Sequence, residues 1–152
     1  MRSLLFSNNS AKYVVGKVLF AHDGKNGSSS AFEIGEAATI KILLPRVLGV
    51  VFASVRIFSE SLDGEICRIN CAWSDAKGEC DVYEAYIDTH DLGAGLYFFM
   101  IELDTQCGRL YGYKYADKLV FSDNFRLNAL YQLSISDFKY SRVLFRNALK
   151  HI

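Results

Sequence analysis

Alternation of apolar and polar positions dominates the middle of the chain, and it predicts strands, because successive side chains of an extended backbone point to opposite faces. In AATIKILLP, Ala38, Ile40, Ile42 and Leu44 share one face opposite Thr39 and Lys41, and Pro45 ends the run. VVFASVRIFSE repeats the pattern through Val51, Ala53, Val55 and Ile57, and after the turn-forming SLDG the same period carries Cys67, Ile69, Cys71 and Trp73 against Arg68 and Asn70. Beyond a loop at SDAKGE, CDVYEAYIDT sets Tyr83, Ala85 and Ile87 opposite Glu84, Tyr86 and Asp88. A first strand is predicted at residues 16–21, followed by a polar, glycine-rich loop at 22–30, HDGKNGSSS. Two further strands follow in CGRLYGYKY and in ALYQLSIS, the latter through Tyr131, Leu133 and Ile135.

One run departs from the pattern. GLYFFMIEL places Leu96, Phe98 and Met100 on one face and Tyr97, Phe99 and Ile101 on the other, so both faces are apolar. Such a strand is covered on each side, or shows aromatics to a partner. Eight or so short strands separated by turns, a single Pro and no long helical period predict an all-β sandwich of about 7–9 strands, with a closed barrel as the alternative. Only the C-terminal YSRVLFRNALKHI has a helical look, and it is short.

Length and charge narrow the function. The 152 residues suit one domain with a core of its own. Seventeen basic and seventeen acidic residues cancel without any run of like charge, which removes the footprint of a nucleic-acid or acidic-membrane binder and leaves neutral partners. The N-terminal MRSLLFSNNS has too short an apolar patch for a signal peptide and no stretch is long enough to span a membrane, so a cytoplasmic chain is expected. Cys67, Cys71, Cys80 and Cys107 lack metal or redox spacing and read as reduced core residues, with a disulfide as the lesser alternative.

Five pieces in order, KILLPRVLG, CAWSDAKGECDVYEAYI, GLYFFMIEL, CGRLYGY and YQLSISDFKYS, resemble the N-terminal domain of α-amylase superfamily enzymes (glycoside hydrolase family 13) of the amylopullulanase and neopullulanase type. The likeness covers roughly residues 38–141, each piece is built of common strand residues, and its weight lies in order and spacing. It implies an immunoglobulin-like antiparallel sandwich related to starch-binding modules, over residues 1–136, with 137–152 as a linker or tail toward a catalytic (β/α)8 barrel. That barrel needs about 250 residues and does not fit in this chain. The sequence departs from the family's pattern at SRVLFRNALKHI and at the 22–30 loop. The implied partners are an α-glucan, the barrel of the parent enzyme and a second copy of the chain.

The chemistry of single residues favours binding over catalysis. Hydrolysis of a glycosidic bond requires two carboxylates facing the scissile bond, whereas the acidic residues here fall in turns and on polar faces, so no catalytic pair is assigned. His22, His90 and His151 are scattered; a calcium role for His22, Asp23 and Asn26 is outweighed by a plain solvated loop, and no metal or cofactor is expected. Sugars instead need flat aromatic faces and a few hydrogen-bonding groups on a rigid sheet. The candidates are Trp73, Tyr86, Tyr111 and Tyr113. Alternation argues that Trp73 is core, and places Tyr86 on a mixed, exposed face. Tyr111 and Tyr113 share a face, with Gly112 leaving the other side bare, and serve either a sugar platform or an interdomain contact. For Tyr97 and Phe99, packing against a neighbouring domain is the expected role. The chain is therefore expected to be a non-catalytic α-glucan-binding and interdomain packing module, or else a purely structural or dimerising sandwich.

Overall fold

The computed structural model describes residues 15–116, 118–125 and 130–137. Twelve strands cross them: β1 (Lys17–His22), β2 (Lys25–Gly27), β3 (Ala31–Glu33), β4 (Ala38–Pro45), β5 (Val50–Ser59), β6 (Glu65–Asn70), β7 (Ala72–Lys77), β8 (Cys80–Ile87), β9 (Gly95–Thr105), β10 (Gly108–Tyr115), β11 (Lys118–Ser122) and β12 (Tyr131–Ser136). A four-residue helix, α1 (Thr89–Leu92), is capped by the Asp88 carboxylate, which accepts from the His90 and Asp91 amides at 3.1 Å.

The strands form an all-β sandwich of two sheets. The smaller has the order β2-β1-β4-β8-β7 and is antiparallel throughout. The larger is built around β9, which pairs with β5 along one edge and with β10 and β12 along the other; β6 continues it beyond β5, β11 beyond β10 and β3 beyond β12. The β3–β12 pair is parallel, because the two segments come from opposite ends of the described chain and run the same way. The strand total exceeds the expected 7–9 because short, weakly alternating pieces also pair. Asp23 and Gly24 both take positive φ, 51° and 88°, the mirror-image turn that folds Lys25–Gly27 back on β1 inside what sequence reads as a loop. Gly78 (φ 60°) turns SDAKGE into a hairpin, so β7 occupies most of that predicted loop.

The core lies between the sheets. Ala38, Ile40, Ile42 and Leu44 of β4 and Ala85 and Ile87 of β8 meet Ala53, Val55 and Ile57 of β5, Phe99, Ile101 and Leu103 of β9, and Leu133 and Ile135 of β12. Phe20 packs edge-on against Phe99 and Phe32, and Tyr131 stacks on Phe99 at 5.1 Å.

This packing reverses the expected faces of GLYFFMIEL. Tyr97 and Phe99, predicted to face another domain, are 9% and 0% exposed and point at the smaller sheet. The Tyr97 hydroxyl donates to the Leu92 and Gly93 carbonyls and so ties α1 to β9. The opposite face carries Met100, which joins Phe58 and Tyr113 in a second apolar cluster, with Leu62, Tyr111 and Leu130 folded over it. Both faces are covered by the molecule itself. Alternation could not decide which face met the second sheet, since both read as apolar.

Trp73 is a second reversal, for it is 56% exposed rather than core. The alternating run through Cys67, Ile69, Cys71 and Trp73 is not one strand: the chain leaves the larger sheet at Cys71, whose amide donates to the Ala53 carbonyl, and enters the smaller sheet as β7. Cys67, Ile69 and Cys71 still pack on the core, whereas Trp73 lies past the crossing on an edge strand that is exposed along its whole length. The predicted tail at 137–152 lies, apart from Asp137, outside the described residues. Among the described residues no helix is long and apolar enough to cross a membrane.

Candidate functional site

The four candidate aromatics are not brought together. Trp73 pairs opposite Tyr83, whose ring packs toward the core, so it belongs to the inner face of the smaller sheet at its uncovered edge. Tyr86 projects from the outer face of the same sheet and is 63% exposed. Tyr111 lies on the outer face of the larger sheet, half-buried against Phe125 at 5.6 Å. Tyr113, expected to share an exposed platform with it, is buried, and its hydroxyl donates to the Asn124 carbonyl at 2.5 Å. The reason is the second apolar cluster, which fills the space above β10 that a sugar would need.

The outer face of the smaller sheet forms a trough of about 210 Å³, which Tyr86 adjoins through its hydrogen bond to the lining residue Glu84. Alternate residues of β1, β4 and β8, namely Leu19, Leu43 and Val82, give it an apolar floor crossed by Lys41 and Glu84. Asn26 of β2 forms one wall, and Ser74, Asp75 and Lys77 of β7 form the other. The two tight turns at Asp23–Gly24 and at Gly78 make both walls, by folding short strands against each edge of the β1-β4-β8 unit. The register of β7 on β8 slips between Trp73 and Asp75, and the Ser74 hydroxyl donates across to the Val82 carbonyl at 3.2 Å.

Charges in the trough balance, with two lysines facing Asp75 and Glu84. Lys41 Nζ lies 3.6 Å from Glu84 Oε1, directly across the β4–β8 pair. The Tyr86 hydroxyl donates to Glu84 Oε2 at 2.7 Å; this bond and the carboxylate's charge push the phenol above its ordinary value, so it stays a neutral donor. The chain Lys41–Glu84–Tyr86 thereby fixes the orientation of an exposed ring. Glu84 thus accepts a hydrogen bond from Tyr86 and forms an ion pair with Lys41.

A second polar arrangement, on the outer face of the larger sheet, was missed by sequence reasoning. Glu102, 5% exposed, accepts from Arg56 Nη1 at 3.2 Å and Arg68 Nη1 at 2.8 Å, and Glu65 Oε1 accepts from both of the same arginines. Burial raises the Glu65 carboxyl, but hydrogen bonds from Arg56 and Arg68 outweigh it and hold the group below its usual range. Arg56 also lies 4.9 Å from the centre of the Phe125 ring. The sequence signal was Glu102 itself, a carboxylate inside an apolar strand, and it acquires meaning only when β5 and β6 bring Arg56 and Arg68 alongside. The two arginines and two glutamates thus balance one another's charge.

The thiols are free; Cys67, Cys71 and Cys80 are half-buried, while Cys107 is exposed in the β9–β10 turn rather than in the core. Among the described residues no group of three His, Cys, Asp or Glu side chains is placed to hold a metal ion. Comparison with protein-family models and with curated proteins finds no match, so what the site implies rests on its own geometry and on the resemblance of its sequence pieces.

Proposed function

We propose that the protein is a non-catalytic module that binds a neutral glycan of the α-glucan type on the outer face of its smaller sheet, as an N-terminal domain of an α-amylase-type glycoside hydrolase. One observation carries this reading: an exposed tyrosine ring, held in place by Glu84, stands beside a charge-balanced trough with an apolar floor. A flat ring stacks on a pyranose face, and lysines, carboxylates and an amide on the walls bond hydroxyls of either sense. The absence of net charge disfavours ionic ligands. In a parent enzyme, exposed Val47, Val51 and Phe52 offer the apolar surface for contact with a barrel, since Tyr97 and Phe99 are inside.

Titration of the chain with maltoheptaose, followed by NMR shifts or calorimetry, tests the proposal. Binding weaker than micromolar is expected, and Tyr86→Ala should reduce it at least tenfold, by about 1.4 kcal/mol or more. A purely structural or dimerising role is the second reading, favoured by the full exposure of β7 with Trp73 at the sheet edge. Silence to millimolar sugar, together with a dimer in sedimentation, would select it.

A further inference from the structure

We infer that His22 is a proton-operated latch: a proton held between it and Glu36 ties the β2–β3 connection to the turn before β4, and loss of that proton at higher pH releases the connection. The ring stands at the end of β1, with Nδ1 2.5 Å from Glu36 Oε1 and Nε2 2.8 Å from the Ser29 carbonyl oxygen. A carbonyl oxygen and an ionised carboxylate only accept, so both contacts are hydrogen bonds only when each contains a hydrogen. Imidazolium supplies both, and so does a neutral ring that donates from Nε2 and accepts at Nδ1 from a protonated Glu36; in either case one proton lies between His22 and Glu36. Without it the ring has a single N–H, and the nitrogen that lacks hydrogen turns a lone pair toward an oxygen with nothing to donate. One of the two contacts then opens.

Both partners are held in place by other elements. The imidazole stacks on Phe32 of β3 at 4.3 Å, Glu36 Oε2 accepts the Glu33 amide at 2.8 Å, and the Gly35 amide donates to Thr89 Oγ1 at 2.9 Å, fastening the turn to α1. The charged and titratable groups about the ring are Asp23 beside it, Lys25 across the β1–β2 pair, Glu33 and Glu36 ahead of β4, and His90 beyond Gly35. Asp23 donates its amide to the Ala37 carbonyl at 2.9 Å and accepts the Ala37 amide on Oδ1 at 2.8 Å, bonds that need no proton on His22. The β1–β4 register therefore holds when the latch opens, and release is confined to the connection around Ser29. It loosens the Asn26 wall, the ring cover over Phe32 and the seam in which the Ser30 carbonyl accepts the Ser134 amide at 3.0 Å.

Amide-exchange protection at Glu33 and Ser134, followed with the nitrogen NMR shifts of the His22 ring from about pH 5 to about pH 8, the range in which imidazoles change charge, tests the latch. Protection of both amides, taken relative to Ile42 in the core of β4, is expected to fall about tenfold or more, in step with the ring's loss of a proton. Glu36→Gln is the discriminating variant. Its side-chain oxygen still accepts the Glu33 amide while its NH2 donates to a neutral Nδ1, so it should retain at the alkaline end the protection that the wild type loses. Ring shifts that stay constant across the range, or protection that stays level in the wild type while the ring loses its proton, would overturn the latch. A wild-type fall that Glu36→Gln leaves unchanged would overturn it as well.

Discussion

Gly112 shows how much a single position can carry. It separates Tyr111 from Tyr113, and the side it leaves is not bare, as the sequence suggests, but filled: a Cβ there would lie 2.9 Å from Leu119 Cδ1, 3.1 Å from Phe121 Cε1 and 3.3 Å from the Ile101 Cβ. Glycine is required by close approach, since its backbone is in the strand conformation any residue adopts. Gly112→Ala is expected to cost about 1–3 kcal/mol through overpacking, read as a lower urea midpoint with unchanged slope. Leu119 and Phe121, the residues that make the approach, belong to a strand not predicted from sequence, which explains why the glycine looked like an open surface. Cys71 makes a related point: burial pushes its thiol up to about 12, so despite an unpaired sulfur it is a packing residue rather than a nucleophile.

At the scale of elements, the Arg56–Glu65–Arg68–Glu102 lattice joins β5, β6 and β9 on the outer face of the larger sheet. Glu65 titrates below its unfolded value, so its contribution to stability is complete above the ordinary glutamate range and disappears as pH falls through the lowered folded value. Its side chain is 30% exposed, and the effect is expected to stay within about 1 kcal/mol. Urea midpoints of the wild type and of Glu65→Gln, taken from pH 7 to pH 2, should therefore differ at neutral pH and converge in acid. Most elements were legible because one of their faces is polar: β4, β8 and β12 follow their alternation, and β5 does so from Ala53 on, whereas Val51, which alternation places on the same inner face, is exposed beyond a register slip between Val50 and Phe52. Where alternation fails to discriminate, or where the chain changes sheet, it misleads. β9 has two apolar faces and its orientation depends on a partner distant in sequence; the Cys71 crossing ends one strand and begins another without any break in period, and so strands Trp73 at an edge.

For the whole molecule, the prediction is a ligand-binding body without turnover. The trough contains two carboxylates, Asp75 and Glu84, which is the minimum a glycosidase needs, yet Glu84 is occupied by Lys41 and Tyr86, and Asp75 Oδ1 accepts the Ala76 amide at 2.8 Å. Incubation with starch, pullulan or maltooligosaccharides should release no reducing sugar above a blank; release that is lost in Glu84→Gln would instead mark the trough as an active site. The sandwich class was visible in the spacing of turns and strands. The position of the trough was not, because its two walls come from segments that read as loops and owe their form to positive-φ turns at Asp23–Gly24 and Gly78.

The parallel pairing of β3 with β12 sets Ala31–Glu33 beside residues 134–136. A ribosome must therefore have delivered nearly the whole sandwich before this seam can close, and until then Phe32 and Phe99, both essentially solvent-free in the finished fold, lack the cover that β12 supplies. From the emergence of Phe99 until that of β12 this greasy seam stays open, which makes that interval the period when a chaperone has most to protect.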